Sequence, residues 1–351
     1  MILVALVAGG IWGLGAWLGV PRSGRWPMLG LLYVAVLAIQ VALPDGAALR
    51  EATGGSAALW LLIGAFAAAA LAYRGGLRRL RARARPLEVE RDPEAAPPGG
   101  LGALQVERYA RHIVLREIGG PGQTALADAR VLVVGAGGLG SPALLYLAGA
   151  GVGTIGVIDH DRVDLGNLQR QVIHRDADIG TPKVASAQRA IAALNPHVAV
   201  RPYDRRMEAG IAADLVADYD LVLDGTDDWD TRTLVNRTCA AAGVPLVWGA
   251  IAQWDGQVTV FDPARGAPCH ACLFPREPAP GTAPSCAEGG VAGPLPGLIG
   301  AAMAMEAVKI VAGAGEPLRG RLLLWDALHG DARVIDVARD PACPVCGEVP
   351  T

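Results

Sequence analysis

Cysteine is scarce in this chain of 351 residues, and neither positive nor negative charge is in large excess. There are six cysteines, and four of them form two Cys-x-x-Cys pairs, which in a reducing compartment indicate a metal site rather than disulfides. The formal net charge is −3, and no basic domain stands out. This composition argues against a nucleic-acid partner.

Apolar residues, in contrast, are in excess before residue 74, and the mean hydropathy of +0.33 is high for a soluble enzyme. Three apolar stretches cover residues 1–20, 28–43 and 57–73. Each is close to the ~20 residues that a helix needs to cross a bilayer, so we expect three transmembrane helices and a membrane anchor over residues 1–73. The alternatives are a signal peptide, which lacks its basic start and a clear cleavage site, and a buried helical hairpin.

The loops between these stretches indicate an orientation. Arg22 and Arg25 lie in the first loop, the second loop is mostly acidic, and six arginines lie between residues 74 and 85. The positive-inside rule then places the N-terminus outside and the C-terminus in the cytoplasm. We expect a multi-pass protein of the cytoplasmic membrane, with a basic flank and linker at 74–102 and a cytoplasmic catalytic domain at 103–351.

A glycine-rich loop follows the first strand-like segment of that domain. Residues 130–134 are apolar and β-branched, and they lead into Gly135, Gly137, Gly138 and Gly140 before an apolar helix at 141–151. The next strand, 154–158, ends in Asp159, 19 residues after Gly140. Such glycines let backbone N–H groups approach phosphate, and the acid is placed to accept hydrogen bonds from ribose hydroxyls. The motif alone favours NAD.

Alternating helix and strand signals continue the pattern. We expect helices at 183–194 and 230–242 and strands at 198–203, 220–224 and 245–250. The predicted fold is α/β, a doubly wound, Rossmann-like and mostly parallel sheet. Its ligands should lie beyond the carboxyl ends of the strands, where Asp159 and Asp227 both fall.

Basic residues near this site disfavour a dehydrogenase. Arg170 and Lys183 suit a triphosphate better than a dinucleotide, whose pyrophosphate needs little more than backbone amides. Asp227, at a strand end, is well placed to hold Mg²⁺.

From residue 108 to 346 the chain resembles the molybdopterin-synthase and ThiS adenylyltransferases (MoeB, ThiF). The matching motifs are Arg108-Tyr-Ala-Arg111, Gly122-Gln123, the glycine loop, Asp159-His-Asp161-Arg-Val163, Asn167-Leu-Gln-Arg170-Gln171, Asp178-Ile-Gly180-Thr-Pro-Lys183, Asn195-Pro196, Gly256-Gln257 and the two cysteine pairs.

The resemblance implies ATP as cofactor, with Asp159 on the ribose and Asn167, Arg170 and Lys183 on the phosphates. It also implies nucleotide-binding roles for Asp161 and Gln171, Mg²⁺ on Asp227, and insertion of Arg111 into the partner subunit's site, hence a symmetric homodimer. Family members usually have asparagine where this chain has Asp228. The extra carboxylate either tightens metal binding or caps the following helix.

The cysteines fall into three groups. Cys269, Cys272, Cys343 and Cys346 provide four thiolates for a structural Zn²⁺ in the C-terminal part. Cys286 lies in a Pro/Gly-rich loop at 278–290, and we hypothesise a transient acyl or persulfide link there, although some relatives do without this cysteine. Cys239 is expected in the core. The chain ends soon after Cys346, so we expect a separate sulfur donor protein.

The implied reaction is adenylation of the C-terminal Gly-Gly carboxylate of a ubiquitin-like sulfur carrier. The first candidate is a MoaD-like carrier in molybdenum cofactor biosynthesis, and the second is ThiS in thiamine biosynthesis. A tRNA dehydratase would need a basic surface that the chain does not show. A membrane-tethered scaffold that only binds a carrier and an NAD dehydrogenase are the remaining alternatives.

Overall fold

The computed structural model describes residues 2–20, 22–84, 100–277, 279 and 289–347. Cys286 and most of the predicted linker lie outside the described residues. The chain divides into two compact units, Met1–Asp92 and Pro93–Thr351.

The first unit is helical. Its helices are α1 (Ile2–Trp17), α2 (Arg22–Ala42), α3 (Ala48–Ala52) and α4 (Ala57–Ala84). The Tyr33 hydroxyl on α2 donates a hydrogen bond to the Trp60 carbonyl oxygen on α4 at 2.7 Å, and the indole N–H of Trp60 donates to the Thr53 carbonyl oxygen at 3.0 Å. Many large apolar side chains on these helices are exposed, among them Trp17 and Phe66. The unit therefore presents an apolar outer surface.

Helix lengths refine the prediction of three membrane spans. By length and composition alone, α2 and α4 could cross a membrane. Helix α1 has 16 residues and is about 24 Å long, which is shorter than the ~30 Å hydrocarbon core. Helix α4 continues to Ala84, so the first part of the predicted linker is helical.

The second unit contains the predicted strands and helices, with small shifts at their ends. Its helices are α5 (Ala103–Arg108), α6 (Ala110–Ile113), α7 (Gly119–Asp128), α8 (Gly140–Ala150), α9 (Lys183–Leu194), α10 (Ala209–Ala217), α11 (Trp229–Ala242), α12 (His270–Leu273) and α13 (Pro294–Ala312). Its strands are β1 (Arg130–Val134), β2 (Thr154–Ile158), β3 (Ala199–Tyr203), β4 (Leu221–Asp224), β5 (Leu246–Ala252), β6 (Asp255–Phe261), β7 (Arg321–Asp326) and β8 (Asp331–Asp336).

These strands form one eight-stranded sheet in the order β3-β2-β1-β4-β5-β6-β7-β8. The pairs from β3 to β5 are parallel, and the pairs from β5 to β8 are antiparallel. The sheet is therefore mixed, and the prediction of a mostly parallel sheet holds for its first five strands. Strands β6 to β8 can pair antiparallel because tight connections link β5 to β6 and β7 to β8, without the crossover helix that a parallel neighbour needs.

Apolar side chains on both faces of the sheet are buried, as expected for a doubly wound fold. Along β1, Val131 and Val133 join one core with α8, α9 and α13, whereas Leu132 and Val134 join a second core with α10 and α11. Side chains that alternate between two covered faces are typical of a parallel strand at the centre of a sheet.

The turn from β1 into α8 depends on one glycine. A Cβ atom at Gly140 would overlap the Gly135 carbonyl oxygen, a backbone atom that no rotamer change can move. Gly149, on the same helix, has no heavy atom within 4 Å of the position of an added Cβ.

We expect Gly140→Ala to lower the free energy of unfolding by about 3 kcal/mol or more, because backbone atoms must shift to accept the methyl group. Gly149→Ala is the matched control and should be neutral or stabilising by up to about 1 kcal/mol, since alanine is the better helix former. Chemical denaturation of the two variants measures the difference. Equal stabilities would contradict the tight turn at Gly140.

Candidate active site

A cavity of about 450 Å³ lies at the carboxyl ends of the five parallel strands, within the size range of ligand-binding pockets. Each strand contributes one of its last two residues, or residues that follow it, to the wall. The lining comprises Val134, Gly135, Gly137, Gly138 and Leu139; Ile158, Asp159, His160 and Asp161; Asn167, Arg170, Gln171 and Lys183; Arg205, Arg206 and Met207; Gly225, Thr226, Asp227, Asp228, Thr231 and Arg232; and Ile251.

The glycine loop and the predicted ribose acid are in direct contact. One carboxylate oxygen of Asp159, Oδ2, accepts a hydrogen bond from the backbone N–H of Ala136 at 2.8 Å. The other, Oδ1, accepts one from the N–H of Asp161 at 2.8 Å. Asp159 therefore joins the ends of β1 and β2 while remaining in the wall of the cavity. Gly140 begins α8 and contributes to the loop through its close packing against the Gly135 carbonyl oxygen.

Asn167, Arg170 and Gln171 belong to one segment of the cavity wall, and Arg170 and Gln171 lie beside the glycine loop. Asn167 ends a short 3-10 turn, Leu165–Asn167, and the half-buried Arg170 donates a hydrogen bond to the Gly166 carbonyl oxygen at 3.1 Å. Gln171 is buried beside Gly137, and its Oε1 has no hydrogen-bond partner among the described residues. The segment therefore brings a fixed cation to the glycine loop.

Lys183, the first residue of α9, is buried, and its ammonium group is paired. Its Nζ lies 2.8 Å from Oδ2 of Asp161. Burial raises the pKa of Asp161, but the hydrogen bond and charge of Lys183, together with His160 and Arg206, outweigh it, so the net pKa lies below its usual range. Asp161 is thus ionised at neutral pH and holds Lys183 at the cavity wall.

The loop after β4 separates the roles of two neighbouring carboxylates. Asp227 is exposed and lines the cavity. Asp228 caps α11, because its Oδ2 accepts hydrogen bonds from the N–H of Thr231 at 2.9 Å and from the Thr231 hydroxyl at 2.5 Å. The Thr231 hydroxyl bond is the main cause that lowers the pKa of Asp228. Of the two interpretations of Asp228, the helix cap is the one with a contact in the structure.

Several cations that line the cavity were not predicted from the sequence. Arg205 and Arg206 follow β3, and Arg206 lies 2.9 Å from Nε2 of His160. The half-buried Arg232 on α11 donates hydrogen bonds to the carbonyl oxygens of Thr226 and Gly249 and lies over the Trp248 ring, 5.1 Å from its centroid. The strand-end rule that identified Asp159 would also have identified the pair after β3.

Arg111 is exposed on α6 and does not line this cavity. Arg108, its neighbour in the predicted motif, donates a hydrogen bond to the Leu194 carbonyl oxygen at the end of α9. The first helices of the unit are thus attached to α9 away from the cavity wall.

The four predicted metal-binding cysteines lie together, with all Sγ atoms within 4.8 Å of one another. The Sγ distances are 3.9 Å from Cys269 to Cys272, 3.6 Å from Cys269 to Cys343 and 3.4 Å from Cys272 to Cys346. Tetrahedral coordination at about 2.3 Å per Zn–S bond places sulfur atoms about 3.8 Å apart. The cluster fits a thiolate-bound metal ion that ties the segment after β8 to α12. Cys239, as expected, lies apart in the core below the sheet.

Comparison with known proteins agrees with the family resemblance drawn from the sequence motifs. Residues 109–345 match the ThiF family. The chain is 49% identical over 251 residues to a sulfur carrier protein adenylyltransferase of Thermus thermophilus, a match that covers 70% of this chain and 93% of the relative. It is 46% identical over 251 residues to the molybdopterin-synthase adenylyltransferase of Escherichia coli, covering 71% of this chain and 99% of that one.

A crystal structure of E. coli MccB with MccA-N7isoAsn has the same fold, with a TM-score of 0.62 and 21% identity over 71% of this chain and 76% of that chain. The fold and cavity are those of a nucleotide-binding α/β protein, and the family match and relatives make it an enzyme of the adenylyltransferase class. The chain belongs to the ThiF family.

We expect the purified chain to contain close to one equivalent of a thiolate-preferring metal ion, and Cys346→Ser to lose most of it. Because metal binding contributes to folding, the melting temperature should fall as well. Elemental analysis by mass spectrometry measures the metal. Cys239→Ala, which removes a buried thiol from the core, is the control and should keep the full metal content. A Cys346→Ser protein with unchanged metal would contradict the cluster.

Proposed function

We propose that this enzyme uses ATP to adenylate the C-terminal glycine carboxylate of a ubiquitin-like sulfur-carrier protein. The observation that carries the proposal is the cavity itself, which combines a glycine loop, a ribose-binding acid, cations and an exposed carboxylate at the ends of five parallel strands. This set matches a nucleoside triphosphate, and the family is one of adenylyltransferases.

The chemistry needs positioning more than proton transfer. A glycine carboxylate is already ionised at neutral pH, so it can attack the α-phosphorus of ATP without a general base, and pyrophosphate leaves. Asn167, Arg170 and Lys183 bind the phosphates and stabilise the charge that grows on the leaving group. Asp227 would hold Mg²⁺, which supplies further charge neutralisation when bound.

The similar proteins support a MoaD-like carrier of molybdenum cofactor biosynthesis. One relative is a molybdopterin-synthase adenylyltransferase, and another is a sulfur carrier protein adenylyltransferase. The four cysteines would hold Zn²⁺ as a structural ion in a closed four-thiolate site.

A homodimer completes each site. Arg111 has no place in the cavity of its own chain, yet it belongs to the motif that family resemblance assigns to the partner's site. A two-fold dimer would supply one such arginine to each cavity.

ATP–pyrophosphate exchange tests the proposal directly. We expect the full-length protein in detergent to catalyse exchange with a MoaD-like carrier that ends in Gly-Gly. Asp227→Asn should lower the rate at least about a hundred-fold, since it removes charge from the phosphate site. Asp230→Asn, in the first turn of α11 and outside the cavity lining, is the matched control and should keep the wild-type rate. Exchange with a ThiS-like carrier alone would overturn the assignment to molybdenum cofactor, and exchange with neither would overturn carrier adenylation.

The same assay tests the shared site. Arg111→Ala and Asp227→Asn chains are each expected to be inactive, but a mixture allowed to exchange subunits should recover about a quarter of the wild-type rate, because half of the dimers then contain one intact site. A mixture that stays inactive would contradict the dimer.

The helices of the first unit anchor the enzyme in the cytoplasmic membrane as a multi-pass segment, with the catalytic domain in the cytoplasm. The exposed apolar side chains of α2 and α4 and their length support this placement.

We expect the full chain to remain in the membrane pellet after alkaline carbonate extraction, because apolar helices buried in lipid are not released by loss of charge. The fragment 101–351 should be recovered in the soluble fraction and keep its exchange activity. Release of the full chain by carbonate would contradict the anchor, and a folded but inactive fragment would show that the first unit does more than tether.

A further inference from the structure

Both backbone polar groups of Ala136, in the glycine loop, are held by hydrogen bonds. The N–H of Ala136 is bonded to Asp159, as described above, and the carbonyl oxygen of Ala136 accepts a hydrogen bond from Nε2 of His174 at 3.0 Å. The Ser141 hydroxyl makes a longer contact of 3.3 Å with the same oxygen. His174 is buried and lies beneath the glycine loop, outside the lining of the cavity.

The planar geometry of the peptide bond gives this contact a consequence. In a trans peptide the C=O of Ala136 and the N–H of Gly137 point in opposite directions. With the carbonyl drawn down onto His174, the N–H of Gly137, a residue in the cavity wall, is turned the other way, toward the space where the phosphates would lie. A backbone donor directed at phosphate is the role for which glycine loops are built.

The contact with Ala136 fixes which nitrogen of His174 carries the proton. The carbonyl of Ala136 can only accept, so Nε2 must be the protonated nitrogen in the neutral ring. The other nitrogen, Nδ1, lies 2.9 Å from the Ser186 hydroxyl on α9, which can donate to it. The Ala136 carbonyl thus sets the tautomer, and Ser186 supports the ring at its other nitrogen.

The Ser186 hydroxyl also lies 2.8 Å from Oδ2 of Asp178, whose Oδ1 is 2.6 Å from the Arg189 guanidinium. The bond from Arg189 is the main cause that keeps the pKa of Asp178 below its usual range, so this carboxylate stays an acceptor. The serine proton can serve either His174 or Asp178. If the ring gains a proton, Nδ1 donates to Ser186 and the serine turns to Asp178, while the bond to Ala136 remains.

The groups around the ring favour its neutral form. Burial lowers the pKa of His174, the bond to Ala136 opposes this, Lys183 on α9 lowers the pKa further, and Asp159 and Asp178 raise it, with a net shift below the usual range. The two protonation states retain the same contact with the loop, so the contact does not depend on pH near neutrality.

We propose that His174, supported at its other ring nitrogen by Ser186, is a positioning residue that directs the Gly137 N–H at the phosphates of the bound nucleotide. The proposal rests on the proposed function, since it assumes that the cavity takes ATP. It predicts a defect that is specific for phosphate, because the nucleoside part of the ligand does not contact this peptide group.

Direct binding of MgATP and of adenosine to the full-length protein in detergent provides the test, by calorimetry. His174→Ala should weaken MgATP binding about ten-fold, the expected scale for a buried carbonyl that loses its partner, and should leave adenosine binding unchanged. His174→Gln should restore MgATP binding to within about two-fold, because its amide can donate to Ala136 and accept from Ser186. His329→Ala, which changes an exposed histidine between β7 and β8, is the control.

Ser186→Ala provides a second variant if His174→Ala does not fold, and it should also weaken MgATP binding without affecting adenosine, since the ring then loses the contact that holds Nδ1 in place. Equal losses for MgATP and adenosine, or no loss for MgATP, would overturn the positioning role. Failure of the unsubstituted protein to bind MgATP would overturn the proposed function and this inference with it.

Discussion

The site depends on the parallel pairing of β1 with β2 on one side and β4 on the other. The register places Val134 opposite both Ile158 and Asp224, so three strands end at one level. Backbone hydrogen bonds continue past the strands, from the Gly135 N–H to the Ile158 carbonyl oxygen at 2.9 Å and from the Gly225 N–H to the Val134 carbonyl oxygen at 3.0 Å. The glycine loop, Asp159 and the loop with Asp227 are thereby fixed against one another before any ligand binds.

This dependence explains which parts of the site were predictable from sequence. The glycine loop, Asp159 and Asp227 were found because each follows a strand with a strong apolar signal, and strand ends gather in a parallel sheet. Helix α9 was predicted with its observed bounds, Lys183–Leu194. His174 and Arg232 were missed because their roles come from contacts with backbone carbonyls of segments distant in sequence, which no local pattern records. Asp228 left two interpretations open until its contact with Thr231 was seen.

The antiparallel half of the sheet and helix α13 show where sequence patterns do not predict the structure. Strand β8 is exposed along its whole length, so it has no alternation of buried and exposed residues to reveal it. Helix α13 is as long and apolar as a membrane span, yet it packs against the sheet with Ile299 and Met303 buried in the core. Length and composition therefore cannot separate a core helix from α2 or α4. What separates them is whether the apolar side chains find protein partners.

The charges around the cavity set a further condition on nucleotide binding. Five cations, Arg170, Lys183, Arg205, Arg206 and Arg232, face four carboxylates, Asp159, Asp161, Asp227 and Asp228, so the wall is close to electrical balance. A triphosphate adds several negative charges, and the buried Lys183 is already paired with Asp161. Phosphates bound to Lys183, as proposed above, would either replace Asp161 or share Lys183 with it, and a divalent cation on Asp227 would offset the charge that remains. Because Asp159 and Asp228 are occupied by backbone and cap hydrogen bonds, Asp227 is the carboxylate of the four with the fewest competing contacts among the described residues.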